Sequence, residues 1–130
     1  MMTNMEMLPP EILKKLYENG DVNNKHREID GNTQDFMPVL KLFNPCGAAT
    51  WLITEIEAEG EDMDGNHDYI MFGLCDLGFG SPEMGSVSWN EIRSVRLPGN
   101  MGIEHDIHFR PTKTLTQYAD DARAAGRITV

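Results

Sequence analysis

The fold of this 130-residue chain is decided by residues 49–75, which read ATWLITEIEAEGEDMDGNHDYIMFGLC. Two runs rich in β-branched and aromatic residues, 49–58 and 69–75, flank a polar turn that contains Gly, Asp and Asn. The second run is almost continuously apolar, which is typical of a central strand that is covered on both faces. The stretch therefore predicts two neighbouring strands joined by an acidic turn.

The flanking sequence predicts the remaining elements. Apolar residues at helical spacing predict an N-terminal helix over residues 8–19, which ends at Asn19-Gly20. Residues 20–35 lack periodicity and predict a flexible loop. Further strands are predicted at 38–43, 86–88 and 102–110, and further helices at 89–95 and 115–125. Each of these helices is preceded by a capping-box spacing, Ser88 with Glu91 and Thr114 with Gln117. We therefore expect a single α+β domain over residues 1–130. It would have an N-terminal helix, a short middle helix, a C-terminal helix and a mostly antiparallel sheet of about four to five strands.

The charge of the chain is concentrated in its middle. Residues 42–92 contain ten of the 21 acidic residues and none of the 11 Lys and Arg residues, so they account for the formal net charge of −10. Such a field repels polyanions and argues against direct contact with nucleic acid or with an anionic membrane surface. It favours the basic face of another protein as the partner.

Seven of these acids lie within residues 55–68, on a predicted strand end and turn. Alternate residues of a strand stand about 6.6 Å apart on one face, so Glu55, Glu57 and Glu59 would form a regular row. Such a row of carboxylates can imitate a row of phosphates. The alternative is a solvated strand end that keeps the chain soluble and protects a sheet edge. The predicted partner-binding residues are Glu55, Glu57, Glu59, Glu61, Asp62, Asp64 and Asp68.

A second hypothesis is a metal-dependent or acid–base enzyme built on His105, Asp106 and His108, with Glu104 beside them. The predicted strand would place Asp106 and His108 on one face. A surface histidine bonded to a neighbouring carboxylate gives the same pattern. Residues 62–68 start an alternation of oxygen ligands but lack the glycine and glutamate positions of an EF-hand. The chain contains no nucleophile motif or phosphate-binding glycine loop. We predict no catalytic residues, no metal and no cofactor.

A third hypothesis is a structural accessory domain that assembles with itself or with other proteins through apolar edges near Phe79 and Trp89. We expect a monomer or a homodimer. The N-terminus has no signal-peptide pattern, and no apolar run is long enough to span a membrane. Two cysteines are too few for a disulfide framework. These observations predict a cytoplasmic protein.

Five stretches resemble a bacterial domain-of-unknown-function family, DUF2958. They are PVLKLFNP (38–45), ATWLITEI (49–56), FGLCDLGFGSPEMGSVSWNEIRSVR (72–96), GIEHDIHF (102–109) and the C-terminal ADDARAAGRI (119–128). The resemblance implies a bacterial host cell, and it makes conjugation proteins the expected partners of the third hypothesis. The resemblance implies an origin in plasmids, integrative elements or phages, and it brings no catalytic residues. Small acidic proteins of such elements often antagonise host defence. We therefore expect a non-catalytic anti-defence inhibitor, of the anti-CRISPR or anti-restriction kind, that docks on a basic nucleic-acid-binding surface.

Overall fold

The computed structural model describes residues 8–130, which form an α+β fold. Its strands are β1 (Leu40–Phe43), β2 (Thr50–Glu61), β3 (His67–Asp76), β4 (Glu83–Ser88) and β5 (Glu104–His105). Its helices are α1 (Pro10–Ile29), α2 (Trp89–Ser94) and α3 (Leu115–Ala125), with a 3-10 turn at Pro98–Asn100. The strands form one antiparallel sheet in the order β4-β3-β2-β1-β5. The predicted fold class is confirmed, and β3 lies inside the sheet as expected.

The sheet has an apolar core on each face. On the first face, α1 and α2 cover a cluster that includes Leu16, Ile53, Met71 and Trp89. On the second face, α3 covers a smaller cluster that includes Leu52, Leu74, Leu115 and Tyr118. Each such buried side chain contributes roughly 1.5–3 kcal/mol of transfer free energy. The two clusters explain why the apolar runs of β2 and β3 are nearly continuous.

The predicted flexible loop over residues 20–35 is wrong for residues 20–29, because α1 continues to Ile29. The helix ends one turn after His26, whose carbonyl accepts the N–H groups of both Asp30 and Gly31. Gly31 has a φ of 74°, the left-handed conformation that glycine adopts most easily. The Asp30-Gly31 pair is therefore the stop signal of α1, and the Asn19-Gly20 pair lies inside the helix.

The second half of α1 is held by polar contacts with β2. β1 pairs with β2 over Thr50–Ile53. Beyond that point Asn19 Nδ2 donates to the Thr54 carbonyl at 3.0 Å, and Asn24 Nδ2 donates to the Glu57 carbonyl at 3.0 Å. The helix approaches so closely that a Cβ on Gly20 would lie 1.9 Å from the Ile56 carbonyl oxygen. These contacts stabilise a helical segment that has no apolar periodicity of its own.

The predicted fifth strand over residues 102–110 is much shorter in the structure. Only Glu104–His105 pairs with β1. The chain then turns, because the Asp106 carboxylate accepts the His108 amide N–H at 2.9 Å. Ile107, which the alternating pattern would bury, is 59% exposed.

The two predicted capping boxes mark real helix starts. Ser88 Oγ accepts the Glu91 N–H at the start of α2. Thr114 and Gln117 form the full reciprocal box at the start of α3. Within residues 8–130, no helix combines the length and apolar character needed to cross a membrane.

Candidate functional site

The seven acids of the predicted site lie along the β2–β3 hairpin in different environments. Glu59, Glu61 and Asp64 are exposed, and Glu57 and Asp62 are partly buried. Glu55 and Asp68 are only 2% and 5% exposed. The structure therefore separates acids that can meet a partner from acids that hold the fold.

The predicted single row of Glu55, Glu57 and Glu59 is wrong, because β2 contains two bulges. The register of β2 against β3 shifts between Ile53 and Glu55 and again between Ile56 and Ala58. Each bulge inserts one extra residue and interrupts the regular alternation of side chains.

The contacts of Glu57 and Glu59 show the effect of the second bulge. Glu57 accepts a hydrogen bond from Ser86, which pairs with Phe72 on the α3 side of the sheet. Glu59 accepts one from Tyr17, which belongs to the cluster on the α1 side. The two carboxylates therefore lie on opposite faces.

Asp68 anchors the start of α2. Its carboxylate accepts hydrogen bonds from Ser88 Oγ, from the Asn90 N–H at 2.9 Å and from the Tyr69 N–H at 2.8 Å. Hydrogen bonds to a charged acceptor are about twice as strong as neutral ones. Asp68 is thus a structural residue and does not belong to an exposed docking surface.

Asp62 shapes the turn between β2 and β3. Its Oδ1 accepts the N–H groups of Asp64 and Asn66, each at 2.9 Å, and its Oδ2 accepts from Asn90 Nδ2. The Asn66 amide, aided by Asn90 and Asp64, holds the pKa of Asp62 below the ordinary value of 3.8. Asp62 also lines a groove whose lining includes the positively charged side chains of Arg93 and Arg96 from the α2 region.

The remaining exposed acids form the end of the hairpin. We call Glu59, Glu61 and Asp64 the acidic tip. Burial and the bond to Glu59 raise the pKa of Tyr17, so the Tyr17 hydroxyl stays protonated and donates. His67 Nε2 lies 3.7 Å from Glu59 Oε1 and adds a positive charge only when it is protonated. In the register of β2 and β3, Glu59 lies opposite Tyr69 and Glu61 lies opposite His67.

Glu55 borders a cavity that the sequence did not reveal. Its Oε1 accepts hydrogen bonds from Asn23 Nδ2 at 2.8 Å and from Thr54 Oγ1 at 3.2 Å. Its Oε2 has no hydrogen-bond partner among residues 8–130, although Arg27 Nη2 lies 3.6 Å away. The cavity beside it measures about 240 Å³ and includes Phe72 and Leu115 in its lining. The asparagines of α1, one of which lines this cavity, are visible in the sequence. Their composition is typical of a loop, so it gave no indication of a cavity.

The His105, Asp106 and His108 cluster is divided by the end of β5. His105 is buried in register with Leu42, and this burial lowers its pKa even though Asp106 favours the charged form. Asp106 forms a 3.2 Å ion pair with Lys41. Burial opposes ionisation of Asp106, but the His108 amide and Lys41 outweigh it and lower the pKa of Asp106. Among residues 8–130, no group of three or more His, Cys, Asp or Glu side chains is arranged to hold a metal ion.

The third hypothesis requires an exposed apolar edge near Phe79 and Trp89, and of these two residues only Phe79 is exposed. Trp89 is 6% exposed and belongs to the core beneath α2. Phe79 is 86% exposed between Gly78 and Gly80, both of which have positive φ. The two aromatic residues therefore do not form one exposed surface.

The fold and the acidic hairpin define a small α+β protein with a five-stranded antiparallel sheet. The family model described as "Protein of unknown function (DUF2958)" matches residues 7–129, so the chain belongs to this family. No curated protein and no solved structure matches the chain.

Proposed function

We propose that this protein is a non-catalytic binding protein that docks its acidic tip on a basic surface of another protein. The observation that carries the proposal is the exposure of Glu59, Glu61 and Asp64 on a hairpin end. The surrounding segment 42–92 contains no Lys or Arg. Exposed carboxylates of one sign attract a basic partner and accelerate its association.

The docking residues that we propose are fewer than the seven acids of the hairpin. Glu55 and Asp68 are left out of the acidic tip because both side chains are buried, and internal hydrogen bonds hold Glu55 Oε1 and the Asp68 carboxylate. Asp62 is committed to the turn and lies in a groove with Arg93 and Arg96. The acidic tip keeps two carboxylates, Glu59 and Glu61, two residues apart on a single strand, which is a spacing of about 6.6 Å.

The partner that we propose is the nucleic-acid-binding surface of a host-defence complex, of the restriction or CRISPR type. Surfaces that bind nucleic acid are lined with Lys and Arg, which the spaced carboxylates of the tip would contact in place of phosphates. The family resemblance, with its implied origin in mobile genetic elements, supports this choice. The same origin supports a cytoplasmic location in a bacterial host.

The test compares two variants that remove the same charge. The tip variant carries Glu59→Gln, Glu61→Gln and Asp64→Asn. The matched control carries Glu28→Gln, Glu83→Gln and Asp120→Asn, three exposed acids outside the tip. Purified protein is titrated against restriction and CRISPR complexes bound to labelled DNA, and displacement of the DNA is measured at low and high salt.

We expect the wild-type protein to displace DNA, with an affinity that falls as salt rises. The tip variant should lose about tenfold or more in affinity, and the control variant should stay close to wild type. An equal loss of affinity in the tip variant and the control variant would show that only the net charge matters. That result would contradict a docking surface located at the acidic tip. Failure to displace DNA from any complex would reject this partner class.

A further inference from the structure

The Glu55 carboxylate lies on the α3 side of the sheet, and one of its two oxygens has no hydrogen-bond donor in the described part of the chain. Its Oε1 is held by Asn23 and Thr54, so the direction of the carboxylate is set by the fold. Its Oε2 is the one buried side-chain polar atom within residues 8–130 that takes no hydrogen bond. A buried carboxylate oxygen without a donor is costly, and such atoms are rare in folded proteins.

The Arg27 guanidinium offsets the charge of the Glu55 carboxylate but donates no hydrogen bond to its Oε2. Its Nη2 lies 3.6 Å from Glu55 Oε2, which is an ion-pair distance beyond the normal range of hydrogen bonds. The same Nη2 donates to Asn24 Oδ1 at 2.6 Å. The Arg27 side chain is 42% exposed, so it can turn toward solvent when another cation arrives.

The cavity next to Glu55 is suited to the body of a ligand. It has a volume of about 240 Å³ and lies between α1, the start of α3 and the sheet. Phe72, Met84 and Leu115 supply apolar lining, and Gln34 and Thr116 supply polar lining. Asp35 also lines the cavity, and its carboxylate accepts hydrogen bonds from Thr116. An apolar wall beside a few oriented polar or charged groups is typical of a small-ligand pocket.

We propose that this cavity binds a guanidinium or ammonium head group carried on an aliphatic stem. The head group donates hydrogen bonds to Glu55 Oε2 and displaces the Arg27 guanidinium, while the stem lies against Phe72 and Leu115. A cation is favoured because the buried acceptor is a carboxylate and the chain carries a net charge of −10. The head group comes either from an Arg or Lys side chain of a bound protein or from a free amine.

The test uses NMR titrations of the full chain with three small probes. N-acetyl-L-arginine methylamide represents a protein side chain, agmatine represents a free amine, and N-acetyl-L-citrulline methylamide is a neutral control of similar shape. We expect saturable shifts at the amides of Phe72, Leu115 and Thr116 with one or both cationic probes. Binding of the arginine probe alone assigns the site to a protein side chain, and binding of agmatine extends it to free amines. Equal binding of the citrulline probe would overturn the proposal.

Two substitutions on opposite sides of the ion pair sharpen the test. Glu55→Gln should weaken the cationic probe by about tenfold or more. Arg27→Ala should tighten it by about two- to fivefold, because it removes the internal competitor. Retained affinity in Glu55→Gln, or weaker binding in Arg27→Ala, would overturn the proposal. If Glu55→Gln does not fold, the proposal is still tested by two measurements: the binding of the neutral citrulline probe to the wild type, and the affinity of Arg27→Ala for the cationic probe.

The pocket stands independently of the acidic tip. The tip variant of Glu59, Glu61 and Asp64 should bind the arginine probe as tightly as the wild type does. A loss in that variant would assign the probe to the tip and reject the pocket. Conversely, a pocket that binds no probe leaves the DNA-displacement test of the tip unaffected.

Discussion

The two ends of β2 carry the same kind of acidic side chain in opposite environments. Near the middle of the strand, Glu55 is 2% exposed and bonded to Asn23 of α1. At the far end, Ala58–Glu61 is exposed and leads into the tip. The difference arises because α1 packs closely on the strand where β1 stops, whereas its Tyr17 contacts Glu59 near the end of the strand and leaves that end exposed. Chemical identity alone therefore does not tell which carboxylate is a surface group.

We expect the largest loss of stability from a substitution that separates α1 from the covered part of β2. A Cβ in Gly20→Ala would lie 1.9 Å from the Ile56 carbonyl oxygen, so helix and strand would have to separate. We expect the free energy of unfolding to fall by about 3 kcal/mol, as in an overpacked core. Urea denaturation followed by circular dichroism measures the loss.

The matched control for Gly20→Ala lies at the uncovered end of the same strand. Gly60→Ala places its Cβ in open space, with no atom within 4 Å, and Gly60 has no positive φ. We expect its stability to stay within about 0.5 kcal/mol of the wild type. Similar losses in both variants would show that the close contact between α1 and β2 does not matter for stability.

A second comparison sets a buried acid against an exposed acid of the same hairpin. Asp68→Asn weakens three hydrogen bonds, two at the start of α2 from Ser88 Oγ and the Asn90 N–H and one from the Tyr69 N–H of β3. We expect a loss of about 2 kcal/mol in the free energy of unfolding, since bonds to a charged acceptor are being replaced. Asp64→Asn, at the exposed tip, should change stability by less than about 0.5 kcal/mol. An Asp68→Asn protein as stable as Asp64→Asn would contradict the anchoring role.

The local features of the fold were predictable because their signals are local. The apolar runs of β2 and β3 and the caps at Ser88 and Thr114 each depend on residues a few positions apart. The second half of α1 was missed because its buried side is polar. Asn19 and Asn23 face backbone carbonyls and a carboxylate, so no apolar period marks the helix.

The candidate site was predictable only in its composition. The acids of residues 55–68 were found from charge, but their exposure depends on distant partners. Glu55 is held by a residue 32 positions away, and Asp68 by one 22 positions away. The bulges that turn Glu57 and Glu59 to opposite faces arise from pairing with β3 and leave no local signature. The cavity beside Glu55 is lined by five separate segments of the chain, at residues 23–36, 54–55, 72, 84 and 115–116.

The smallest expected effect concerns Asp62, which stands between the buried and the exposed acids. Its folded-state pKa is depressed below 3.8 because amide N–H groups donate to the carboxylate. Ionised Asp62 therefore contributes stability above its unfolded pKa, and this contribution is lost as pH falls through the folded pKa. Asp62→Asn keeps an acceptor oxygen and removes the charge, so its deficit relative to wild type should shrink between neutral and strongly acidic pH. Thermal unfolding across pH measures this, and a deficit that grows with acidification would contradict the depressed pKa.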